Sequence, residues 1–255
     1  MNKLDDSYFY TFKLNILSGR QTPVAIGHLL RVIIVGQGIL GSMALFLAPL
    51  VIMNSKAILF LKLVFFGNIV LLAIFSYRTI YKKYPKSQYM LFNINIMFFS
   101  FYTILLGCET FFSGTDSIRS FDEFRLPIFF FANIVGIISL IVSFFFFRNN
   151  AINGKYQEDS VASEKMVKNE LVGKILTPIL ILSSISVPFI IKNLIPSNGL
   201  MFGFMGSLFI FLGCMCYVGT SWTFMTFYCK LRFKSFNPDI SELIKDEEAK
   251  NDENK

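Results

Sequence analysis

Charged residues are scarce in this sequence: they make up 16% of the 255 residues, against about 25% in a typical soluble domain. Residues 7–108 contain no Asp or Glu at all. The chain is instead 54% hydrophobic, has 31 phenylalanines and has a mean hydropathy of +0.56. The missing charge is concentrated in long apolar blocks, which excludes an ordinary soluble helical domain with polar outer faces.

Residue types that carry chemistry are equally rare. The chain has one histidine, His28, and four cysteines, none of them in a C-x-x-C pair. Cys214 and Cys216 are two residues apart, so on a helix they point about 200° from each other. Nucleophile elbows, H-E-x-x-H motifs and P-loops are also missing. The sequence therefore predicts no metal site, no cofactor and no enzyme activity.

One short stretch imitates a nucleotide-binding motif. The residues VIIVGQGILG, 32–41, have the order apolar strand, G-x-G-x-x-G, helix of the dinucleotide-binding fingerprint. That fingerprint requires an acidic residue about 20 positions later, whereas the next carboxylate here is Glu109. Residues 32–53 are 22 residues without a charge, which is the length of a membrane-spanning helix.

Five further apolar blocks approach or exceed that length, so the predicted fold class is an all-α integral membrane protein with six transmembrane helices. The predicted spans are 32–53, 57–77, 89–108, 127–147, 171–195 and 200–222. The domain boundaries follow: an N-terminal cytoplasmic or interfacial segment (1–22), a six-helix transmembrane domain (23–228) and a charged, largely disordered cytoplasmic tail (229–255). Thr22 and Pro23 are typical of an N-cap followed by proline at the first helical position.

The positions of Lys and Arg predict the orientation. If the N-terminus is cytoplasmic, 19 of the 24 basic residues fall on the cytoplasmic side, as the positive-inside rule requires. Both termini are therefore predicted in the cytoplasm and the protein in the plasma membrane. The net charge of +7 favours contact with the anionic lipids of the inner leaflet. Nucleic-acid binding is not expected, because the basic residues are scattered over four stretches.

Small residues mark candidate packing faces between the spans. In the first span, Gln37 and Gly41 project to one side with Gly38 and Ser42 at its flank, whereas Gly36 points towards lipid. In the last span, Gly199, Gly203 and Gly206 recur at helical spacing. Because lipid provides no hydrophobic force between helices, small residues that allow close approach are what drives association.

Polar residues inside the spans are the candidates for a polar cavity or for contacts with a partner. They are Lys62, Asn93, Ser100, Glu109, Asn133 and Ser184, together with the helix-breaking prolines Pro178 and Pro188. Lys62 lies near the outer end of its span, where snorkelling explains it, and a pair with Glu109 is an open alternative. The two prolines of the fifth span are typical of a transporter's broken helix, but the second span has no matching proline.

Two kinds of function remain. The first is a non-catalytic bacterial membrane protein that acts by helix–helix contact with another membrane protein or with a second copy of itself, as an immunity protein or an accessory subunit does. The second is a small-solute transporter, a channel or the six-span permease subunit of an ABC exporter. The lack of catalytic motifs and the small soluble loops favour the first.

Overall fold

The structure is a computed structural model that describes residues 5–17, 21–52, 54–113, 125–158 and 198–237. Within these ranges all regular secondary structure is helical. The α-helices are α1 (Tyr10–Leu17), α2 (Pro23–Leu47), α3 (Ser55–Ser76), α4 (Arg78–Lys83), α5 (Pro85–Ser113), α6 (Arg125–Ile152) and α7 (Asn198–Arg232). Single 3₁₀ turns cover Asp6–Phe9, Ala48–Leu50 and Lys234–Phe236.

Five of these helices, α2, α3, α5, α6 and α7, are long and apolar enough to cross a membrane. The predicted class of a helical, multi-pass membrane protein is thereby confirmed. The predicted fifth span, 171–195, lies outside the described residues, and so does most of the predicted tail, 238–255.

Local sequence signals set the beginnings of the first two long helices. Thr22 is the N-cap of α2, as predicted, and its hydroxyl accepts a hydrogen bond from the Ala25 amide at 3.2 Å. Asn54 caps α3 in the same way through the Lys56 and Ala57 amides. The first span ends earlier than predicted, because Pro49 converts the last apolar residues into a 3₁₀ turn.

The later helices extend further than the apolar blocks that predicted them. The last span was expected to end near residue 222, but α7 continues to Arg232 and carries Lys230 in its final turn. An apolar window ends at the first cluster of polar residues, whereas a helix continues until its backbone is capped or broken. The first residues assigned to a disordered tail, 229–232, are therefore helical.

Helix α5 is the centre of the bundle. In its most apolar window 67% of residues are buried, against 17% for α3. Helices α2 and α7 pack on different sides of α5, α3 packs against α2, and α6 packs mainly against α7. The described bundle is thus arranged around one helix that has neighbours on most of its circumference.

The contacts also define how the helices run. Helix α3 runs antiparallel to α2, and α7 antiparallel to α5, whereas α6 and α7 run in the same direction. We call the side where α2 begins and where α3, α6 and α7 end the terminal end of the bundle. The side where α2 and α5 end is the opposite end.

Glycines allow the backbones of α5 and α7 to touch. A Cβ on Gly206 would lie 2.5 Å from the backbone nitrogen of Phe111, and a Cβ on Gly107 would lie 2.8 Å from that of Ile210. A Cβ on Gly213 would lie 2.5 Å from Ile104 Cγ1. Real Cβ atoms essentially never lie so close to other atoms, so any larger residue at these three sites would force its neighbour to move. The result is close backbone contact, which is the main source of helix association in lipid.

Aromatic residues join the N-terminal segment to the terminal end of the bundle. The Phe12 ring stacks on Trp222 at 4.2 Å between centroids, and Tyr156 lies edge-on to both rings. The Thr11 amide donates a hydrogen bond to the Tyr156 carbonyl at 3.0 Å. Phe9 and Phe12 are fully buried, so this segment is part of the folded bundle.

A polar link between the two terminal segments accompanies these rings. The Ser235 hydroxyl donates to Asp6 Oδ2 at 2.5 Å, and Lys13 Nζ lies 3.4 Å from the same oxygen. The hydrogen bond from Ser235, with help from Lys13, holds the pKa of the Asp6 carboxyl below its usual value. The link is therefore complete at neutral pH and is lost only as the pH falls through that lowered pKa.

Substitution of Gly206 by alanine tests the α5–α7 contact. The added methyl group must displace the backbone of α5, and we expect a loss of about 1–3 kcal/mol of stability. Gly219, on the same helix, has open space around it, so Gly219→Ala is the matched control and should be neutral or slightly stabilising. Thermal unfolding in detergent measures both, and equal stability of the two variants would contradict the close contact.

The single tryptophan reports whether the N-terminal segment is docked. Replacing Phe12 with alanine removes the ring stacked on Trp222, and we expect stronger quenching of the tryptophan fluorescence by aqueous acrylamide. Lys13→Ala, which removes only a surface ion pair, should leave the quenching unchanged. If Phe12→Ala behaved like Lys13→Ala, the segment would not be packed on α7.

Candidate functional site

Three buried amide side chains form a hydrogen-bonded cluster where α2, α3 and α5 meet. Gln37 Nε2 donates to the Asn95 carbonyl at 2.9 Å. Asn68 Nδ2 donates both to Gln37 Oε1 at 3.1 Å and to Asn95 Oδ1 at 2.7 Å. All three residues are buried. We call Gln37, Asn68 and Asn95 the amide cluster; it fixes the register of three helices.

Gly41 supports the amide cluster one turn further along α2. A Cβ at this position would collide with the Phe65 ring, so the glycine lets α3 approach α2 closely enough for Asn68 to reach Gln37. The sequence placed Gln37 and Gly41 on one face, and the structure buries both. Asn95 was not among the residues predicted from the sequence. A signal was available, because Asn95 is two residues from Asn93 and the two amides therefore lie on opposite faces of α5.

Two further polar pairs attach α7 to its neighbours. The Thr223 hydroxyl donates to Asn93 Oδ1 at 2.5 Å, and the Tyr217 hydroxyl donates to Asn133 Oδ1 at 3.2 Å. Each asparagine amide donates to a carbonyl one turn earlier in its own helix. Both predicted asparagines are thus engaged in contacts between helices. They do not line any of the cavities described below.

Ser100 has a similar role. It is fully buried, and its hydroxyl donates to the Ile96 carbonyl at 3.0 Å. Its own carbonyl oxygen would lie 3.0 Å from a Cβ on Gly213. The structure therefore places Ser100 on the surface of α5 that is pressed against α7.

Glu109 differs from the other predicted polar residues. Its side chain is 0% exposed, and neither carboxyl oxygen has a hydrogen-bond partner among the described residues. Lys62, the partner considered for it, is exposed on α3 beside Ser42, Phe65 and Phe66. The structure does not bring Lys62 and Glu109 together, because the lysine lies on the lipid-facing surface of α3.

A second buried ionisable side chain, Lys230, lies at the terminal end and was missed by the sequence reasoning. Lys230 is 5% exposed; its Nζ donates to the Gln21 carbonyl at 3.2 Å and lies 4.8 Å from the centre of the Tyr89 ring. The Tyr89 hydroxyl donates to Gln21 Oε1 at 2.9 Å. The sequence predicts Lys230 as part of the tail, because the apolar block that predicts α7 ends before it.

A groove lined mainly by apolar side chains opens between α3 on one side and α6 and Tyr217 of α7 on the other, with α5 as its floor. It consists of two adjoining cavities of about 570 and 430 Å³ that share Phe60, Leu61 and Phe101. The first cavity reaches Asn54 and Phe129 at the opposite end, and the second continues along α5 beside Ile94, Met97, Phe98 and Tyr102. We call this surface the lateral groove.

The remaining predicted packing residues fall into three groups. Gly206 is in tight contact with α5, and Gly203 lies at ordinary contact distance, 4.0 Å, from the Phe111 ring. Gly38 has nothing within 4 Å of a Cβ position, and Ser42 is exposed, because α2 turns its Gln37 side to its neighbours. Gly199 lies in the first turn of α7, whose side-chain surroundings are outside the described part. Pro178, Ser184 and Pro188 also lie outside the described residues.

The chemistry available at these sites is binding and packing. Within the described ranges no group of three or more His, Cys, Asp or Glu side chains is placed to hold a metal ion. The four cysteines are unpaired. The cavities of the lateral groove are walled largely by aromatic and aliphatic residues, a surface suited to apolar ligands or to another helix.

A double-mutant cycle on the amide cluster measures what it contributes. Asn68→Leu removes the amide group that donates hydrogen bonds to Gln37 and Asn95. Gln37→Leu removes the oxygen that accepts one of these bonds. We expect each single change to destabilise the protein, and the double variant to be less unstable than the sum by about 0.6–1.7 kcal/mol. Strict additivity in detergent unfolding would show that these hydrogen bonds are not coupled.

Comparison with known proteins gives no relative from which a role can be transferred. No protein-family model, no curated protein and no solved structure matches this chain. Any statement about function therefore depends on the geometry of its own residues.

Proposed function

We propose that this chain is a plasma-membrane protein with six spans and both termini in the cytoplasm, and that it acts by lateral helix–helix contact with another membrane protein. The observation that carries the proposal is the lateral groove, a mainly apolar surface that the described residues leave unfilled. A membrane protein whose working surface faces sideways acts on partners within the bilayer.

The topology is supported by the course of the helices and by the charges at their ends. Helices α6 and α7 run in the same direction, as two helices separated by one further crossing would. The terminal end carries the basic residues of α4 and of the last turn of α7. A cytoplasmic terminal end agrees with the positive-inside rule and with contact to anionic lipid.

The shape of the lateral groove favours a helix as its occupant. Along α3 it extends from Asn54 to Val64, which is about 15 Å at 1.5 Å per residue, or roughly three helical turns. Ala57 has the smallest side chain in the lining of the first cavity, and Phe60, Phe101 and Phe130 provide broad apolar surfaces around it. A transmembrane helix with small residues on one face would fill this surface by close packing.

Two biological roles use contacts of this kind: protection of the cell against a membrane-active toxin, and service as an accessory subunit of a membrane complex. We propose the partner to be a membrane protein other than this chain. A second copy of the chain is the competing occupant that the experiment below distinguishes.

Transport is the second candidate, and one observation favours it. Glu109 is a fully buried carboxyl in a spanning helix with no hydrogen-bond partner among the described residues, and such residues often belong to ion or substrate paths. A small-solute transporter, a channel or an ABC-exporter permease subunit therefore remains the alternative.

Site-specific photo-cross-linking separates these possibilities. A photoreactive amino acid at Leu61 lies in the lateral groove, whereas one at Val70 lies on the exposed side of the same helix. In membranes of the native host we expect a discrete protein adduct from position 61 and none from position 70. Mass spectrometry of the adduct identifies either a different membrane protein, as proposed, or a second copy.

A groove-filling variant links the contact to the phenotype. Ala57→Trp should abolish the adduct and reproduce the toxin sensitivity or complex defect of a deletion strain, while Val70→Trp should do neither. A deletion strain with normal toxin resistance and intact complexes but defective solute movement would refute the proposal in favour of transport.

A further inference from the structure

Glu109 lies in a setting that disfavours its charged form. Glu109 is the fourth residue from the end of Pro85–Phe112, the part of α5 that is apolar enough to cross a membrane, and its side chain is fully buried. Both carboxyl oxygens lack a hydrogen-bond donor among the described residues. An ionised carboxylate without donors is very costly in an apolar interior, whereas a protonated carboxyl is neutral and far easier to bury.

The described side chains one turn from Glu109 on α5 are apolar. On α5 its neighbours Leu105, Leu106 and Phe112 are buried apolar residues. Among the described titratable groups at this end of the bundle, Cys108 is adjacent in the chain, Cys214 is on α7, Arg125 begins α6, and Lys56 and Lys62 are on α3. The Arg125 guanidinium lies 5.4 Å from the centre of the Phe112 ring. None of these groups donates a hydrogen bond to the carboxyl.

We propose that Glu109 is a proton-binding site of the membrane domain, with its carboxyl holding a proton in the folded protein. A metal cation is a poor alternative ligand, because hard cations require several oxygen ligands at once and the described residues provide no such group. A proton requires one oxygen. This inference does not depend on the partner proposed above.

Glu109 lies near the end of α5. Ser113, where α5 ends, is four positions after Glu109, which corresponds to about 6 Å along the helix. The carboxyl lies at the same end of the bundle as the glycine contact between Gly107 and Gly206. Gly107 and Phe111, which contact Gly206, each lie two residues from Glu109, so at about 100° per residue the carboxyl points away from the α5–α7 contact.

Infrared difference spectroscopy tests the protonation directly. A protonated carboxylic acid has a carbonyl stretch separate from the carboxylate bands. We expect the purified protein in lipid at neutral pH to show this band and Glu109→Gln to lose it. Asp6→Asn is the matched control and should keep the band, because Asp6 is a surface carboxyl with a lowered pKa. Absence of the band from the wild-type protein would overturn the proposal.

Labelling with an apolar carbodiimide provides a second measurement. The reagent takes the carboxyl proton on its nitrogen while the carboxyl oxygen adds to its central carbon, and the O-acylisourea rearranges to a stable N-acylurea with no leaving group. We expect this adduct on Glu109 in native membranes and none on Asp6. A wild-type protein labelled at Glu109 only after denaturation in acid would contradict a protonated carboxyl in the folded state.

The abundance of two variants in the membrane separates proton binding from packing. In Glu109→Gln the amide keeps the shape and neutrality of the protonated side chain, so this variant should fold and its membrane abundance should equal that of the wild type. Glu109→Lys places a charge at the same position and should reduce abundance severalfold. Equal loss in both variants would show that the carboxyl serves the packing and not a proton.

Discussion

The close contact between α5 and α7 is the interaction on which the rest of the structure depends. Lipid tails are as apolar as the side chains that face them, so burial of apolar surface gives little net attraction between helices. Gly107, Gly206 and Gly213 instead bring two backbones into van der Waals contact, and α6 is then positioned by its contacts with α7. The lateral groove exists because α3 and α6 are attached to different neighbours.

Polar side chains add direction to this packing. A polar group that lies in hydrocarbon must find a partner within the protein, and on α5 the two asparagines find partners on opposite sides: Asn95 with α2 and α3, Asn93 with α7. Small residues determine how near the helices come, and the amides determine their register. Glu109 is the exception, since it is buried without a partner among the described residues.

The helical membrane class could be predicted because it depends on quantities the sequence displays: the length of apolar runs and the lack of charge. Helix starts were also predictable where a cap was present, as at Thr22. It was harder to predict which helices would pack against each other. At about 100° per residue, projection places Gln37 and Gly41 on one face, but it does not say which helix will meet that face, and Gly38 beside them has open space. The Lys62–Glu109 pair that the sequence offered as an alternative is not formed, and the reason is the same: spacing within each helix does not specify the rotation of one helix relative to another.

The order of the helices along the chain has a consequence for synthesis. Asn95 meets Gln37 and Asn68, which precede it by 58 and 27 residues, so one side of α5 has its partners as soon as α5 is made. Asn93 must wait for Thr223, which follows 130 residues later. At about 5–20 residues per second, this is an interval of roughly 6–26 s. During that interval the other side of α5, with its glycines, is without α7, and the nascent protein must be held in the membrane as an unfinished bundle.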